Sequence, residues 1–498
     1  MLGDRGLDPL PRVDRFAVTG EVPQVEADLF ARGRDGLIGR SPEDDAAEQV
    51  QHVNERALPL RPGLDVERVH RHGARTVAIL MTTDIAAAAE EMVEVTTFAE
   101  VSEGLRAESK LAVVLDDHSR PIRAGTVLRL DGKEHTRRRR LLNRLVFRGE
   151  HARFRRAILG PALERHLAAA PRAPDGLARA DLVELCMRSL LEHVAALIGL
   201  DPVVTRERID ELARLQADVE GFLRLGTQLK AAAPPLPDGD AGLRRAIARL
   251  EVGKREFAER FFRPALADRR RAIARHEAGE IAESDLPNDL LTLVALHLEP
   301  GFDEDGDLPL REAVTDLLHA GTGTSVGAIV HAIEHLVLWF ERRPEDRARA
   351  GDVEFLHAVV NETLRLHSAN PAEVRRAVED VRLSGGTTIR AGQYVALRTG
   401  VANRDASVFG RDAAEFDPRR TIPPGVSRYG LAFGAGPHMC YGVPVALGDE
   451  GTDGSLVLVV KRLLEAGVRK DADRPARYRP GIAYADLRGW ESYPVVLT

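Results

Sequence analysis

A chain of 498 residues with 44% hydrophobic and 30% charged side chains can bury a core and still wet its surface, which excludes a disordered or collagen-like polypeptide. Its net charge of -7 mixes both signs along the chain, so no global basic field points to a nucleic-acid partner or to an anionic membrane. Only two cysteines occur, Cys186 and Cys440, so an extensive disulfide framework is excluded and a reducing cytoplasm is the expected location.

The opening MLGDRGLDPLPRVDRF interrupts every apolar run with Asp, Arg or Pro, and predicts neither a signal peptide nor a membrane anchor. Residues 1–75 are punctuated by proline and charge and read as an irregular extension. Thr76 to Val93, TVAILMTTDIAAAAEEMV, predicts a strand followed by a helix. From Leu182 onward come LVELCMRSLLEHVAALIGL, ERIDELARLQADVEGFLRL and LRRAIARLEVGKREFAERFF, each with the i, i+3, i+4 apolar spacing of a half-buried helix. Between the last two, Lys230 to Gly242 (KAAAPPLPDGDAG) predicts a loop, because its prolines and glycines cannot continue a helix. A further long helix is predicted after Leu308, through REAVTDLLHAGTGTSVGAIVHAIEHLVLWFE, and VRLSGGTTIRAGQYVALRT predicts a hairpin.

Near the C-terminus the sequence FGAGPHMCYG crowds three glycines and a proline around Cys440. Glycines there let the backbone approach closely, and a cysteine in such a loop is a turn residue, a nucleophile or a thiolate ligand. Phe433, Gly434, Gly436, His438, Cys440 and Gly442 together resemble the cysteine-ligand loop of the cytochrome P450 family, Phe-x-x-Gly-x-x-x-Cys-x-Gly. The resemblance implies that Cys440 is the axial thiolate of a b-type haem, with Phe433, Gly434 and Gly442 shaping its loop.

Other pieces of the pattern follow in order. NETLRL places Glu362 and Arg365 on one helical face, and with ANRD and FDPRR downstream it resembles the family's Glu-x-x-Arg helix and meander. Arg420 is then the third member of a structural ion-pair network. DGKEHTRRRRLLNRLVF resembles the helix that reaches the haem propionates, through His135 and Arg139, and the resemblance implies further propionate contacts from Arg375 and His438. HAGTGTS, His319 to Ser325, resembles the oxygen-activation segment, with Thr324 as the hydroxyl that assists proton delivery. Gly323 departs from that segment, because an acidic residue ordinarily stands there.

Competing signals are weaker. GTSVG satisfies the Gly-x-Ser-x-Gly elbow of serine hydrolases through Ser325, but helical periodicity precedes it where a strand is needed. HAIEH puts His331 and His335 four apart without a third metal ligand, and both read as packing histidines. DEDGD, Asp303 to Asp307, has its glycine misplaced for a calcium loop, and Cys186 reads as inert core. The basic run HTRRRR lacks interleaved aromatics for stacking on bases. After Gly442, VPVALGDEGTDGSL lacks the family's continuous helix.

The resemblance spans roughly residues 76–498 and implies one mainly α domain with a smaller β-rich region, the cytochrome P450 fold. It implies a haem-thiolate monooxygenase acting on a small organic substrate with dioxygen and electrons from a separate ferredoxin or flavodoxin and its reductase. A haem-thiolate peroxygenase or nitric-oxide-type reductase is the alternative reading, and a hydrolase built on Ser325 a distant one.

Overall fold

A computed structural model of the chain describes residues 92–114, 123, 125–147, 154–200, 205–231, 239–297, 310, 312–314, 320–448, 453–479 and 489–498. The extension at 1–75, most of the strand and helix expected from Thr76, and the acidic run Asp303 to Asp307 lie outside them. Val93, expected to end a helix, instead opens a strand.

The first elements are β1 (Val93–Val95), α1 (Phe98–Arg106), β2 (Leu111–Val113), α2 (Gly132–Phe147), α3 (Gly160–Ala168) and β3 (Ala178–Asp181). The long apolar-periodic stretches fold as α4 (Leu182–Ile198), α5 (Arg206–Ala231), α6 (Gly239–Phe257), α7 (Arg263–Glu277) and α8 (Leu290–His297). Helix α5 continues through Ala231 and α6 starts at Gly239, so the break between them is shorter than the 230–242 read from its prolines. Then come α9 (Ala320–Arg342), α10 (Val353–Leu366), β4 (Glu373–Ala377), β5 (Val381–Arg382), β6 (Thr388–Ile389) and β7 (Tyr394–Leu397). The chain closes with α11 (Val443–Leu447), α12 (Ser455–Glu465), β8 (Arg469–Lys470), β9 (Arg477–Arg479), β10 (Gly489–Ser492) and β11 (Pro494–Leu497).

Local chemistry sets the helix ends. Asp181 caps α4 by accepting from the Val183 amide, and Asp352 caps α10 by accepting from Glu354 and Phe355. Helix α4 stops at Gly199, whose φ of 97° is open to glycine at little strain and whose missing Cβ leaves room for the Asp289 carboxylate.

The central layer is helical. Ile329, Ile333 and Leu336 of α9 are buried with Leu190 of α4, Val359 of α10 and Val457 and Leu463 of α12. Each such side chain stabilises the fold by roughly 1.5–3 kcal/mol relative to exposure. Among the described residues α9 alone is long and apolar enough to cross a membrane, and here it is the helix the core is built around. A second helical cluster joins Leu145 of α2 to Leu212, Phe222, Leu250, Phe262 and Leu290.

The β-rich part lies apart in a four-stranded sheet ordered β1-β7-β4-β2, with β1 parallel to β7 and the other pairs antiparallel. Its pairing of Val113 with Arg375 and of Arg375 with Val395 puts Arg375 in the middle of the sheet. The predicted hairpin is present as β5 against β6, Val381 facing Ile389. A three-stranded sheet ordered β3-β11-β8 and the pair β9-β10 complete the strands described.

The helix expected to be broken after Gly442 is broken. Five residues form α11, the chain turns at Gly448 with φ 87°, and α12 begins at Ser455. A Cβ at Gly454 would collide with the Ala446 carbonyl, so the two pieces are closely apposed at that point.

A cysteine recess and its buried supporting network

The loop that carries Cys440 is closed by the Cys440 amide donating to the Phe433 carbonyl at 2.8 Å. Gly434 and Gly436 both have φ of 70°, a conformation that favours glycine. Gly436 is further constrained, because a Cβ there would stand 2.9 Å from the Arg106 Cα at the end of α1. Phe433 packs edge-on to Tyr429 at 4.9 Å, and a Cβ on Gly442 would come within 3.5 Å of the Cys440 Sγ.

Cys440 lies at an exposed position, yet protein crowds its side chain closely enough that burial pushes its thiol upward, against a backbone hydrogen bond from Gly442 and the positive charge of Arg139. Cys186, in contrast, is enclosed in the core, where burial also pushes its thiol up, and no chemistry is expected of it.

Helix α2 supplies the neighbouring cations. Arg139 donates to the Met439 carbonyl and, at 3.1 Å, to Asn143 Oδ1, and its guanidinium lies 5.3 Å from the centre of the Tyr441 ring. One turn earlier His135 is buried and stacks on His438, ring centres 4.1 Å apart. The Glu108 carboxylate lies 3.8 Å from His135 Nδ1 and 3.6 Å from His438 Nε2, and Asp131 lies 3.2 Å from the latter. Burial lowers the His135 pKa first, the charges of His438 and Arg139 lower it further, and Glu108 and Asp131 oppose them. The buried Nδ1 of His135 makes no hydrogen bond among the described residues. One ligand atom each from Glu108, His135 and His438 lie within 4.8 Å of one another, so the cluster also has the dimensions of a cation site.

Glu362, Arg365 and Arg420 are brought together in full. Both Glu362 oxygens accept from Arg365 at 2.7 Å, and Oε1 accepts from Arg420 at 2.9 Å. Arg365 donates onward to the carbonyls of Asn403 and Ala413 at 2.6 Å, and Arg420 to Phe409 at 2.7 Å and to Asp412 and Glu415 at 2.9 Å. Asn403 then ties this meander to the cysteine loop, its Oδ1 accepting from the Leu431 amide at 2.7 Å.

Arg375 is buried in its strand and donates to Glu373 at 3.1 Å and to the Val374 carbonyl at 3.0 Å; no described contact joins it to the histidine pair. On α9 the Thr324 hydroxyl donates to the Ala320 carbonyl at 2.7 Å and faces solvent. Gly321 lets α4 approach, since a Cβ there would meet Val194 at 3.2 Å, and a Cβ at Gly323 would meet the amide nitrogen of Gln216 at 3.4 Å. Ser325 donates to the Gly321 carbonyl inside a helix that already runs from Ala320, whereas a nucleophile elbow needs the serine at a strand-to-helix turn. His335 and His367 meet at 2.8 Å and His331 stacks on His367 at 3.9 Å, the packing role expected of the pair on α9.

Sequence reasoning missed Glu108, Asp131 and Gln216. Each is an isolated polar residue that chain folding alone brings to its partner.

The family model for cytochrome P450 matches residues 106–448. A protein named cytochrome P450 126 from Mycobacterium tuberculosis is 30% identical over 332 residues, 65% of this chain and 67% of its own length. Cytochrome P450 52A10 of Candida maltosa is 31% identical over 202 residues, 34% of this chain. That yeast protein and two Arabidopsis thaliana relatives are matched over only 38%, 25% and 40% of their lengths. Among solved structures, Bacillus megaterium CYP109E1 aligns with a TM-score of 0.57 at 18% identity, over 82% of this chain and 93% of its own. P450BioI, solved with an acyl carrier protein, gives 0.56 at 18% identity, over 81% and 92%. The mainly helical architecture with its small sheets is theirs, and the match across the motif-bearing region shows that the chain belongs to the cytochrome P450 family.

Proposed function

We propose that the protein is a haem-thiolate monooxygenase of the cytoplasm that oxidises a small organic substrate. The family's cofactor is haem b on a cysteine thiolate, and the residues around the recess fit that group. Cys440 is held in a glycine-shaped loop; beside that loop stand the Arg139 guanidinium and the buried His135 Nδ1, which makes no hydrogen bond among the described residues. A buried orphan of that kind costs free energy unless something answers it, and a propionate carboxylate would. The cysteine loop, with Arg139, His135 and His438 gathered beside it, carries the proposal.

Haem, when bound, supplies dioxygen activation. One oxygen atom enters the substrate and the other leaves as water, with two electrons and two protons consumed. Within this chain Cys440 would supply the thiolate that holds the group, and the charge of Arg139 opposes the burial that raises its thiol pKa. His135, Arg139 and His438 would hold the propionates, with Arg375 as a further buried cation on the four-stranded sheet. Thr324 presents a hydroxyl on the helix at the centre of the fold and assists the passage of protons. The electrons come from a ferredoxin or flavodoxin with its reductase.

The direct test is the carbon monoxide difference spectrum of the reduced protein. A red-shifted Soret band is expected in the wild type and its loss, with haem retained, in Cys440→His; an unchanged band in the variant would reject Cys440 as the ligand.

A second reading, the peroxide-driven enzyme, is favoured by one observation: Gly323 offers no carboxylate to the proton path. Product formed with reduced redox partners and with hydrogen peroxide, measured side by side, separates the two. Peroxide turnover that outpaces the dioxygen reaction would replace the monooxygenase assignment with a peroxygenase.

A further inference from the structure

The basic run on α2 is divided between two faces of the helix. His135 and Arg139 are one turn apart and turn to the cysteine loop. At about 100° per residue, Arg140 and Arg144 stand roughly 100° and 140° round the helix from Arg139, and Arg137 about 160°. These three arginines, spaced three and four apart, form a separate stripe. With Arg138, Leu141 and His297 at the end of α8 they line a cleft of about 260 Å³.

Among the described contacts the arginines of the cleft divide into paired and unpaired. Arg137 pairs with Glu134 at 2.9 Å, and Arg138 reaches Glu312 at 3.3 Å and Glu134 at 3.4 Å. Among the described contacts no carboxylate faces Arg140 or Arg144. Arg144 Nη1 lies 2.8 Å from His297 Nε2, so that imidazole nitrogen serves as acceptor and does not cancel the charge. Among the described contacts Arg140 and Arg144 thus stand without a carboxylate, in a chain whose total is -7. Like charges gathered along one helical stripe destabilise it, and a bound anion would reverse the sign of that contribution.

We propose that this cleft binds a small phosphorylated anion, of about the size of pyrophosphate, at a site separate from the cysteine recess. The guanidinium fork matches two oxygens of a phosphate, and several forks converging on one small volume favour a ligand with dense charge and oxygens on every side. A single carboxylate engages one fork in one plane and leaves the others unanswered. Leu141 gives the cleft an apolar wall, which raises the worth of each charge contact by excluding water.

Calorimetric titration of the haem-loaded full chain with inorganic pyrophosphate tests the site. One-to-one binding with a Kd below ~1 mM is expected, and a loss of about tenfold or more in the Arg140→Ala, Arg144→Ala double variant. Both side chains are exposed, so the carbon monoxide spectrum should be unchanged and certify the fold of the variant. Arg140→Lys with Arg144→Lys keeps the charge but not the fork, and should bind more weakly than wild type. Citrate, at matched ionic strength, should bind at least about tenfold more weakly than pyrophosphate. The proposal is overturned by equal binding of citrate, by lysine or alanine variants that bind as the wild type does, or by absence of saturable heat up to ~10 mM pyrophosphate.

Discussion

The network around Glu362 and the cluster around Cys440 are both built from charged groups in the interior, and they differ in completeness. Glu362, Arg365 and Arg420 answer one another, and further guanidinium hydrogens go to backbone carbonyls of the meander and to the Asp412 carboxylate. Around Cys440 the buried Nδ1 of His135 makes no hydrogen bond among the described residues, and the Glu108 carboxylate stands 3.8 Å away. A closed network is a structural part, finished when the chain folds. An open one is finished only by something the chain does not itself provide, and that difference separates scaffold from site without reference to sequence motifs.

The comparison fails if the closed network proves dispensable. Glu362→Ala leaves buried Arg365 without a carboxylate and Arg420 with only the exposed Asp412, which should cost about 3–5 kcal/mol and prevent haem incorporation. Urea denaturation measures the loss, and a variant as stable as wild type would remove the distinction.

Next in size is a pH effect at the border of the network. Burial chiefly, with a contribution from Arg404, lowers the pKa of His335 from 6.5 to about 4, although Glu362 opposes the shift. The folded state holds this imidazole neutral, so its contribution is present above the unfolded pKa and is lost as pH falls from about 6.5 toward 4. The whole of it is about 3 kcal/mol. Denaturation midpoints across that window should fall in the wild type and fall less in His335→Gln; parallel profiles would mean that His335 is not held neutral by the fold.

At the open cluster stability should barely respond. Cys440→Ser is expected to shift unfolding by less than ~1 kcal/mol while abolishing thiolate ligation, and a large destabilisation would mean that the loop needs its thiol for structure. Smallest of all is Thr324→Ala, within ~0.5 kcal/mol on an exposed helical position. It should nonetheless release more hydrogen peroxide per electron pair, and unchanged coupling would remove Thr324 from the proton path.

What was legible in the sequence was whatever the backbone dictates locally. Gly434 and Gly436 announce positive φ, Glu362 and Arg365 sit three apart on a helix, and His135 and Arg139 are one turn apart. The break after Gly442 was legible too, because a Gly- and Asp-rich run cannot continue a helix. Partners supplied by distant chain were not. Glu108 and Asp131 meet His438 across some 300 residues, and Gln216 comes to Gly323 from another helix; neither meeting leaves a periodic trace. Loop ends were misjudged for a related reason. Packing of α5 against α6 carries helix to Ala231 where alanines and prolines alone predict a turn.

The seat of Gly436 against Arg106 bears on the order in which the molecule is made. The loop and α1 are separated by some 330 residues, so their contact is among the most non-local in the chain, and such contacts form late because the intervening loop must first be closed. Asn403 imposes the same delay through Leu431. On the ribosome, the segment bearing Cys440 emerges when most of its scaffold is already outside. Capture of a cofactor through that thiol would therefore be one of the final events of biogenesis, and a cell short of haem would accumulate chains arrested one step before completion.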